Sequence, residues 1–353
     1  MRDVAVVGFT QRTMREFVGS PNCVELLVPM LGELWEQTGW TKSDIGFWCS
    51  GSSDYLAGRS FSFVTAIDAL GAVPPINESH VEMDAAWALY EAWLKIQTGE
   101  ADTALVYGFG KSSAGVLRRT LALQLDPYTM TPLWPDTVSI AALQARIGLE
   151  NGHWTEKDLA AVAQRSLADA ADNPYAIRSG KEGVDELLAR PLYADPLHKH
   201  DCAPVTDGAA AIIIAAADRL PSTVSNPAWI TGFAHSVDQA DLGSRDLTRS
   251  PSARRAGEAA GIASRSIDVA ELHAPFSHQE LILRTELGLD DSVSINPSGG
   301  ALAANPMFSA GLIRIGEAAK QIWSGDAERT LGHATSGPAL QQNLVCVMEA
   351  GTR

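Results

Sequence analysis

The chain has 353 residues, 46% of them hydrophobic and 20% charged, with a net charge of -15 at pH 7. That length exceeds one ordinary domain, and the apolar content suffices for an extended core. The acidic balance argues against nucleic acid, whose phosphates need a basic surface. No stretch approaches the roughly 20 apolar residues of a membrane span, so no membrane association is expected.

From the N-terminus, MRDVAVVGFTQ reads as a short strand. It is not a secretory leader, because no long apolar run precedes a small-residue cleavage site. Cys23, Cys49, Cys202 and Cys346 show no CxxC spacing. Neither zinc nor a disulfide framework is therefore indicated, and free thiols in a reducing cytoplasm are expected. Next, VEMDAAWALYEAWLKIQTGEADTALVYGFG (81–110) predicts a turn, a helix opened by Asp84, a turn at Thr98-Gly99 and a buried strand. The first turn of such a helix often presents a nucleophile, but here the residue is Ala85, and Trp87 follows closely. Lys111, Arg118 and Arg119 read either as a site for a phosphorylated ligand or as a solvated helix face.

A mostly helical stretch is expected over 112–200. Within it, HWTEKDLAAVAQRSLADAADNP opens with a Thr155-x-x-Asp158 cap and ends at Asn173-Pro174. His198-Lys199-His200 has metal-like spacing but lacks an evident third ligand, so a surface loop is expected. Continuous apolar runs such as TALVYGF and AAAIIIAAAD suit strands buried on both faces.

The chain also repeats itself. VAVVGF (4–9) matches AWITGF (228–233), and SDIGFWC (43–49) matches SIDVAELH (266–273), with Asp44 falling on Asp268, 224 positions on. IQTGEADTALVYG (96–108) matches IWSGDAERTLGHA (322–334), shifted by 226. Solenoid repeats run about 20–50 residues, so this spacing means two copies of one α/β unit. The expected organisation is an N-terminal half of residues 1–111 and 201–222, a helical insertion over 112–200, and a C-terminal half over 223–353.

Several stretches in this order carry a resemblance: VEMDAAWAL, TGEADTALVYGFGKSS, DNPYA, DCAPVTDGAAAIIIA (201–215), VAELHAPFSHQE (269–280), INPSGGALAANPMFSAGLIRIGEAA (295–319) and LGHATSGP (331–338). The chain resembles the thiolase superfamily, and more closely sterol-carrier-protein-type thiolases and their lipid-transfer-protein relatives. The resemblance implies an α/β thiolase fold: duplicated βαβαβαββ halves with five-stranded sheets in five layers, α-β-α-β-α, plus a helical loop insertion. It also implies a dimer.

The resemblance places Ala85 where the family's nucleophilic cysteine stands, which excludes an acyl-enzyme there, and Trp87 where acyl space would lie. Asn305 stands at the family's GHP histidine. An asparagine there can donate to a developing oxyanion or simply organise its loop. Ser298, Gly299 and Gly300 would let backbone approach a thioester or would form a turn; Gly337, in LGHATSGP, is a further expected substrate- or CoA-binding position. His273 and His333 occupy positions held by histidine in the sterol-carrier type, and histidine exchanges protons near neutral pH. His278 is a weaker candidate, and Cys202 reads as packing.

Three functions follow from the resemblance. One is an enzyme acting on a CoA thioester with no further cofactor, cleaving a steroid side-chain β-hydroxyacyl-CoA by a retro-aldol step with His273 or His333 as base. Members with that activity use tyrosines near those two positions, from which this chain departs. Another is a non-catalytic subunit paired with a second thiolase-like chain or a small OB-fold/zinc-ribbon protein. Thiolysis through Cys49 or Cys202 would require an exposed thiolate.

Overall fold

The computed structural model describes residues 2–15, 23–57, 60–71 and 76–351. The first half runs β1 (Val4–Met14), α1 (Val24–Thr38), β2 (Phe47–Gly51), α2 (Asp54–Ala57), α3 (Ser62–Leu70), β3 (Glu78–Val81), α4 (Ala85–Gln97) and β4 (Thr103–Lys111). Helices α5 (Leu117–Ala122), α6 (Thr137–Glu150), α7 (Glu156–Asp169) and α8 (Val184–Leu188) follow, with a small hairpin of β5 (Leu192–Ala194) and β6 (Leu197–His198). Strand β7 (Asp207–Ala216) then returns to the first sheet. The second half comprises β8 (Ala228–Val237), α9 (Pro251–Ala259), β9 (Val269–Glu271), α10 (Ser277–Leu287), β10 (Ser294–Ile295), α11 (Gly300–Ala303), α12 (Ala310–Trp323), β11 (Arg329–Ser336) and β12 (Gln342–Glu349).

The strands lie in the order β10-β9-β11-β12-β8-β1-β7-β4-β2-β3, which reads the same way outward from its centre in both directions. In each half the second strand pairs in parallel with the third and the fourth, and the fifth runs antiparallel to the fourth and the first. The expected pair of five-stranded sheets is joined at the first strands, through Ala5 opposite Trp229 and Val6 opposite Ala228.

The duplication extends to a defect. The register of β1 slips between Val6 and Gly8, and the β8–β12 register slips opposite Ile230 and Gly232. A Cβ on Gly8 would lie 2.8 Å from Thr38 of α1, and one on Gly232 would lie 1.9 Å from the carbonyl oxygen of Ala260, just beyond α9. The bulge and its glycine let the outer helix of each half sit against its first strand.

Five layers result. Helices α1 and α3 cover the outer face of the first half-sheet through Leu26, Leu27, Met30, Leu34, Ala66 and Leu70. Helices α9 and α10 cover the outer face of the second through Ala253, Ala256, Ile282 and Leu283. Between the sheets, α4 and α12 share one core with the inward residues of both. Most of α4 and nearly all of α12 are buried, Arg314 and Glu317 included, as a position between two sheets requires.

In the inserted segment, Thr155 and Asp158 form the expected reciprocal cap of α7. The helix gives way to a single 3-10 turn at Ala170–Asp172 before Asn173. One expectation is overturned: His198 and His200 do not sit on a surface loop. They are 6% and 7% exposed, with rings stacked 5.0 Å apart, because Leu197 and Cys202 anchor the segment in the outer core. Among the described residues no helix is long and apolar enough to cross a membrane.

Candidate active site

The C-terminal ends of the parallel strands of both halves open to one side, where α/β sheets collect functional groups. The local sequence brings them together through glycines. The chain from Asn305 to Phe308 crosses the ends of β7 and β4, and a Cβ on Gly208, Gly110 or Gly108 would meet Pro306 Cβ at 3.0 Å, the Met307 oxygen at 2.4 Å or the Phe308 oxygen at 2.4 Å. Thr206 accepts the Asn305 N–H at 3.1 Å and pins the crossing. A segment of the second half thus lies flat on the first.

Ala85 begins α4 beneath that crossing. Its N–H donates to the Phe308 oxygen at 2.9 Å, and the residue is fully buried. A Cβ on Gly108 would stand 2.6 Å from the Ala85 Cβ, and one on Gly51 2.4 Å from its Cα. Trp87 is 7% exposed and packs in the central core. Asp84 caps α4 as expected, accepting from Ala86 N, and also receives the N–H groups of Gly311 and Leu312 at the start of α12. One buried carboxylate therefore serves the positive ends of both central helices. Its pKa is raised by burial, against the three N–H groups that favour the charged form.

His273 follows β9. The Thr335 N–H donates to its Nδ1 at 3.4 Å, so the ring proton lies on Nε2, which donates to Asn305 Oδ1 at 3.0 Å. Burial and the neighbouring His333 push its pKa down to about 3. Asn305 is half-buried, and among the described residues no group is bonded to its Nδ2. The histidine thus fixes the amide so that its two N–H donors remain available.

His333, on β11, is fully buried. Its Nε2 lies 2.9 Å from Asn343 Oδ1, while the Asn343 amide nitrogen donates to Ser250, Ser252 and the Leu340 carbonyl. His333 Nε2 is therefore the donor, and among the described residues Nδ1 keeps a lone pair without a partner. Burial lowers its pKa to about 4. His278 lies apart, in α10, with Nε2 3.0 Å from Gln144 Oε1.

The Ser298–Gly300 turn is closed by protein. Ser298 donates to Glu271 at 2.8 Å and receives Arg314 at 2.6 Å. Asn173 donates to the Ser298 oxygen at 2.8 Å, and Ser166 donates to the Gly299 oxygen. Gly299 and Gly300 have φ of 91° and 62°, and a Cβ on Gly299 would stand 2.6 Å from Ala170. Gly337, φ 74°, is exposed in the turn after β11. The structure thus brings His273, Asn305 and His333 to one strand end and leaves Gly337 and His278 outside it. Thr206, Asp84's second helix and Asn343 were not singled out from sequence. The paired glycines in YGFG and the DG at 207–208 are the only local signal of the crossing.

The arrangement invites comparison with known proteins. No family model matches the chain. It is 26% identical over 353 residues to the acetyl-CoA acetyltransferase of Methanothermobacter thermautotrophicus, covering 92% of this chain and 91% of that one. It is 26% identical over 315 residues to sterol carrier protein 2 of Gallus gallus, covering 78% of this chain and 57% of that protein. A structure described as an Ltp2-ChsH2(DUF35) aldolase superposes with a TM-score of 0.81 at 19% identity, covering 98% of both chains. The chain is thus similar, over nearly its whole length, to thiolase-superfamily enzymes and shares their fold. Human mitochondrial 3-ketoacyl-CoA thiolase superposes with a TM-score of 0.77 at 16% identity over 99% of both chains, which places the five-layer architecture in the thiolase fold. The benzoylsuccinyl-CoA thiolase subunit BbsB of Thauera aromatica is 24% identical over 278 residues, 71% of each chain.

Proposed function

We propose that this thiolase-like chain acts on acyl-CoA thioesters without forming an acyl-enzyme, cleaving a steroid side-chain β-hydroxyacyl-CoA by a retro-aldol step. The observation that carries the reading is the Asn305 amide, its Oδ1 held by His273 Nε2–H at 3.0 Å and its Nδ2 without a partner among the described residues. Such a fixed donor suits the oxygen of a thioester enolate, where charge develops. His273 has both ring nitrogens engaged, so it is a positioning residue. His333 Nδ1 is the free acceptor, and His333 is neutral above a pH of about 4.

In this scheme His333 takes the β-hydroxyl proton. The Cα–Cβ bond then breaks, the β-carbon leaves as a carbonyl compound, and the electron pair forms the enolate under Asn305. The proton returns to Cα to give the shortened acyl-CoA. A methyl group at Ala85 plays no covalent part, which this chemistry allows. The likeness to a protein described as an aldolase supports the reading.

The complete burial of Ala85 and His333 favours a second reading, in which the chain works only in a complex. Its occupants would be a homodimer mate, a second thiolase-like chain or a small OB-fold/zinc-ribbon protein. The test is cleavage of a steroid side-chain β-hydroxyacyl-CoA by the chain alone and with such a partner. Asn305→Ala should lower kcat/KM by roughly a hundredfold or more, and His333→Gln should abolish the pH dependence set by the base. Undiminished activity of either variant overturns the assignment of roles. No turnover in any combination overturns both readings and favours a non-catalytic subunit instead.

A further inference from the structure

A cavity of about 480 Å³ lies beside the crossing segment, within the size range of small-ligand sites. Its lining includes Arg15 at the end of β1, Ser112, Ser113 and Gly115 after β4, Arg118 on α5, and Val205 before β7. Its walls adjoin the candidate active site without containing it: Val205 precedes Thr206, which holds Asn305, and Ser112 lies two residues beyond Gly110, which carries Met307.

Three features of the lining point to one ligand chemistry. Two guanidinium groups face a single cavity. The Arg15 guanidinium donates to the Ile177 oxygen at 2.8 Å, and that of Arg118 is shared with Asp136 and the Tyr193 ring. Each keeps further N–H donors beyond those contacts, since a guanidinium carries five. Ser112 is 3% exposed, yet among the described residues its Oγ has no hydrogen-bond partner. A buried hydroxyl without a partner is uncommon and costs stability unless a ligand or water completes it. Val116, Leu117 and Val205 supply the remaining, apolar wall, and Val116 and Val205 are 70% and 50% exposed.

We infer that this cavity binds an amphiphilic anion: a carboxylate or phosphate taken up by Arg15, Arg118 and Ser112, with an apolar arm laid on Val116, Leu117 and Val205. The inference needs no catalysis by the neighbouring histidines. Two sources could present the anion, a carboxylate at the far end of an acyl group or the phosphates of its carrier.

Gly115 allows a clean block. It is extended, with φ of -141°, and a Cβ there would meet nothing within 4 Å. Gly115→Leu therefore fills the cavity without straining the backbone. The experiment is calorimetric titration of the full chain with octanoate, octyl phosphate and octanol. The two anions should bind at least about tenfold more tightly than octanol, a margin typical of one charged hydrogen bond. Gly115→Leu should abolish that binding, and Arg118→Met should weaken both anions by about tenfold or more while leaving octanol unchanged. Competition then separates the sources. Displacement of octanoate by octanedioyl-CoA more than by octanoyl-CoA identifies an acyl carboxylate, and equal displacement by CoA itself identifies the phosphates. Absence of anion binding, equal affinity for octanol, or anion binding unchanged in Gly115→Leu would overturn the proposal, whatever the activity assay gives.

Discussion

Asp84→Ala tests how the two halves are locked at the start of α4. The Asp84 side chain is 5% exposed and accepts Ala86 N at 2.9 Å, Gly311 N at 2.9 Å and Leu312 N at 3.1 Å. Removing it leaves three buried N–H groups without acceptors, at about 1–3 kcal/mol each. With water entering the small space left behind, the loss should total about 3–6 kcal/mol, well above the ~1 kcal/mol of an ordinary exposed cap. Asp84→Asn keeps one acceptor oxygen but turns an amide N–H₂ toward donors, so its loss should approach that of alanine. Urea unfolding followed by tryptophan fluorescence suits the measurement, since Trp87 sits in the same turn. A loss below about 1 kcal/mol in Asp84→Ala would refute the claim that one carboxylate closes both helix ends.

Gly108→Ala should destabilise by about 1–3 kcal/mol or more, because its Cβ would stand 2.4 Å from the Phe308 oxygen and 2.6 Å from the Ala85 Cβ. Gly115→Ala, facing open space, should change stability by less than about 0.5 kcal/mol in the same urea titration. The pH dependence follows from His273, His278 and His333, all held well below the ordinary histidine value, to about 3, 3 and 4. The unfolded chain binds these protons first, so stability falls as pH drops from about 6.5 toward 4, by up to about 1.4 kcal/mol per pH unit for each histidine. Asp84 and Glu271, whose pKa burial raises, act in the opposite sense. The clean readout is therefore a shallower slope in His278→Gln; an unchanged slope contradicts the burial argument. All four cysteines are buried, and burial pushes the thiol of Cys202 up to about 12. Ellman's reagent at pH 8 should titrate almost no thiol in the native chain and four after denaturation, whereas a fast native thiol would revive thiolysis.

The duplication was legible in sequence because strand-entry patterns such as IQTGEAD and IWSGDAE repeat the turn chemistry as well as the hydrophobicity. The Asp84 cap and the Thr155–Asp158 box were legible for the same local reason. What sequence could not supply is long-range. Asp84 bonds residues 227 and 228 positions away, and no periodicity announces that the start of α12 meets the start of α4. The surface loop expected at His198–His200 is instead buried, because polar composition does not by itself fix exposure and Leu197 and Cys202 carry the segment inward. Pattern alone marks both His273 and His333 as candidates, but not which ring nitrogen of each is occupied. That is decided by Thr335 and Asn343, two residues with no motif of their own.

The central claim is acyl-CoA chemistry without a covalent intermediate, and intact-protein mass spectrometry during turnover tests it most directly. With a steroid side-chain β-hydroxyacyl-CoA in excess, the expected result is accumulation of shortened acyl-CoA and carbonyl product while the chain keeps its unmodified mass. An acyl adduct on the chain that forms and decays at the rate of product release would contradict it.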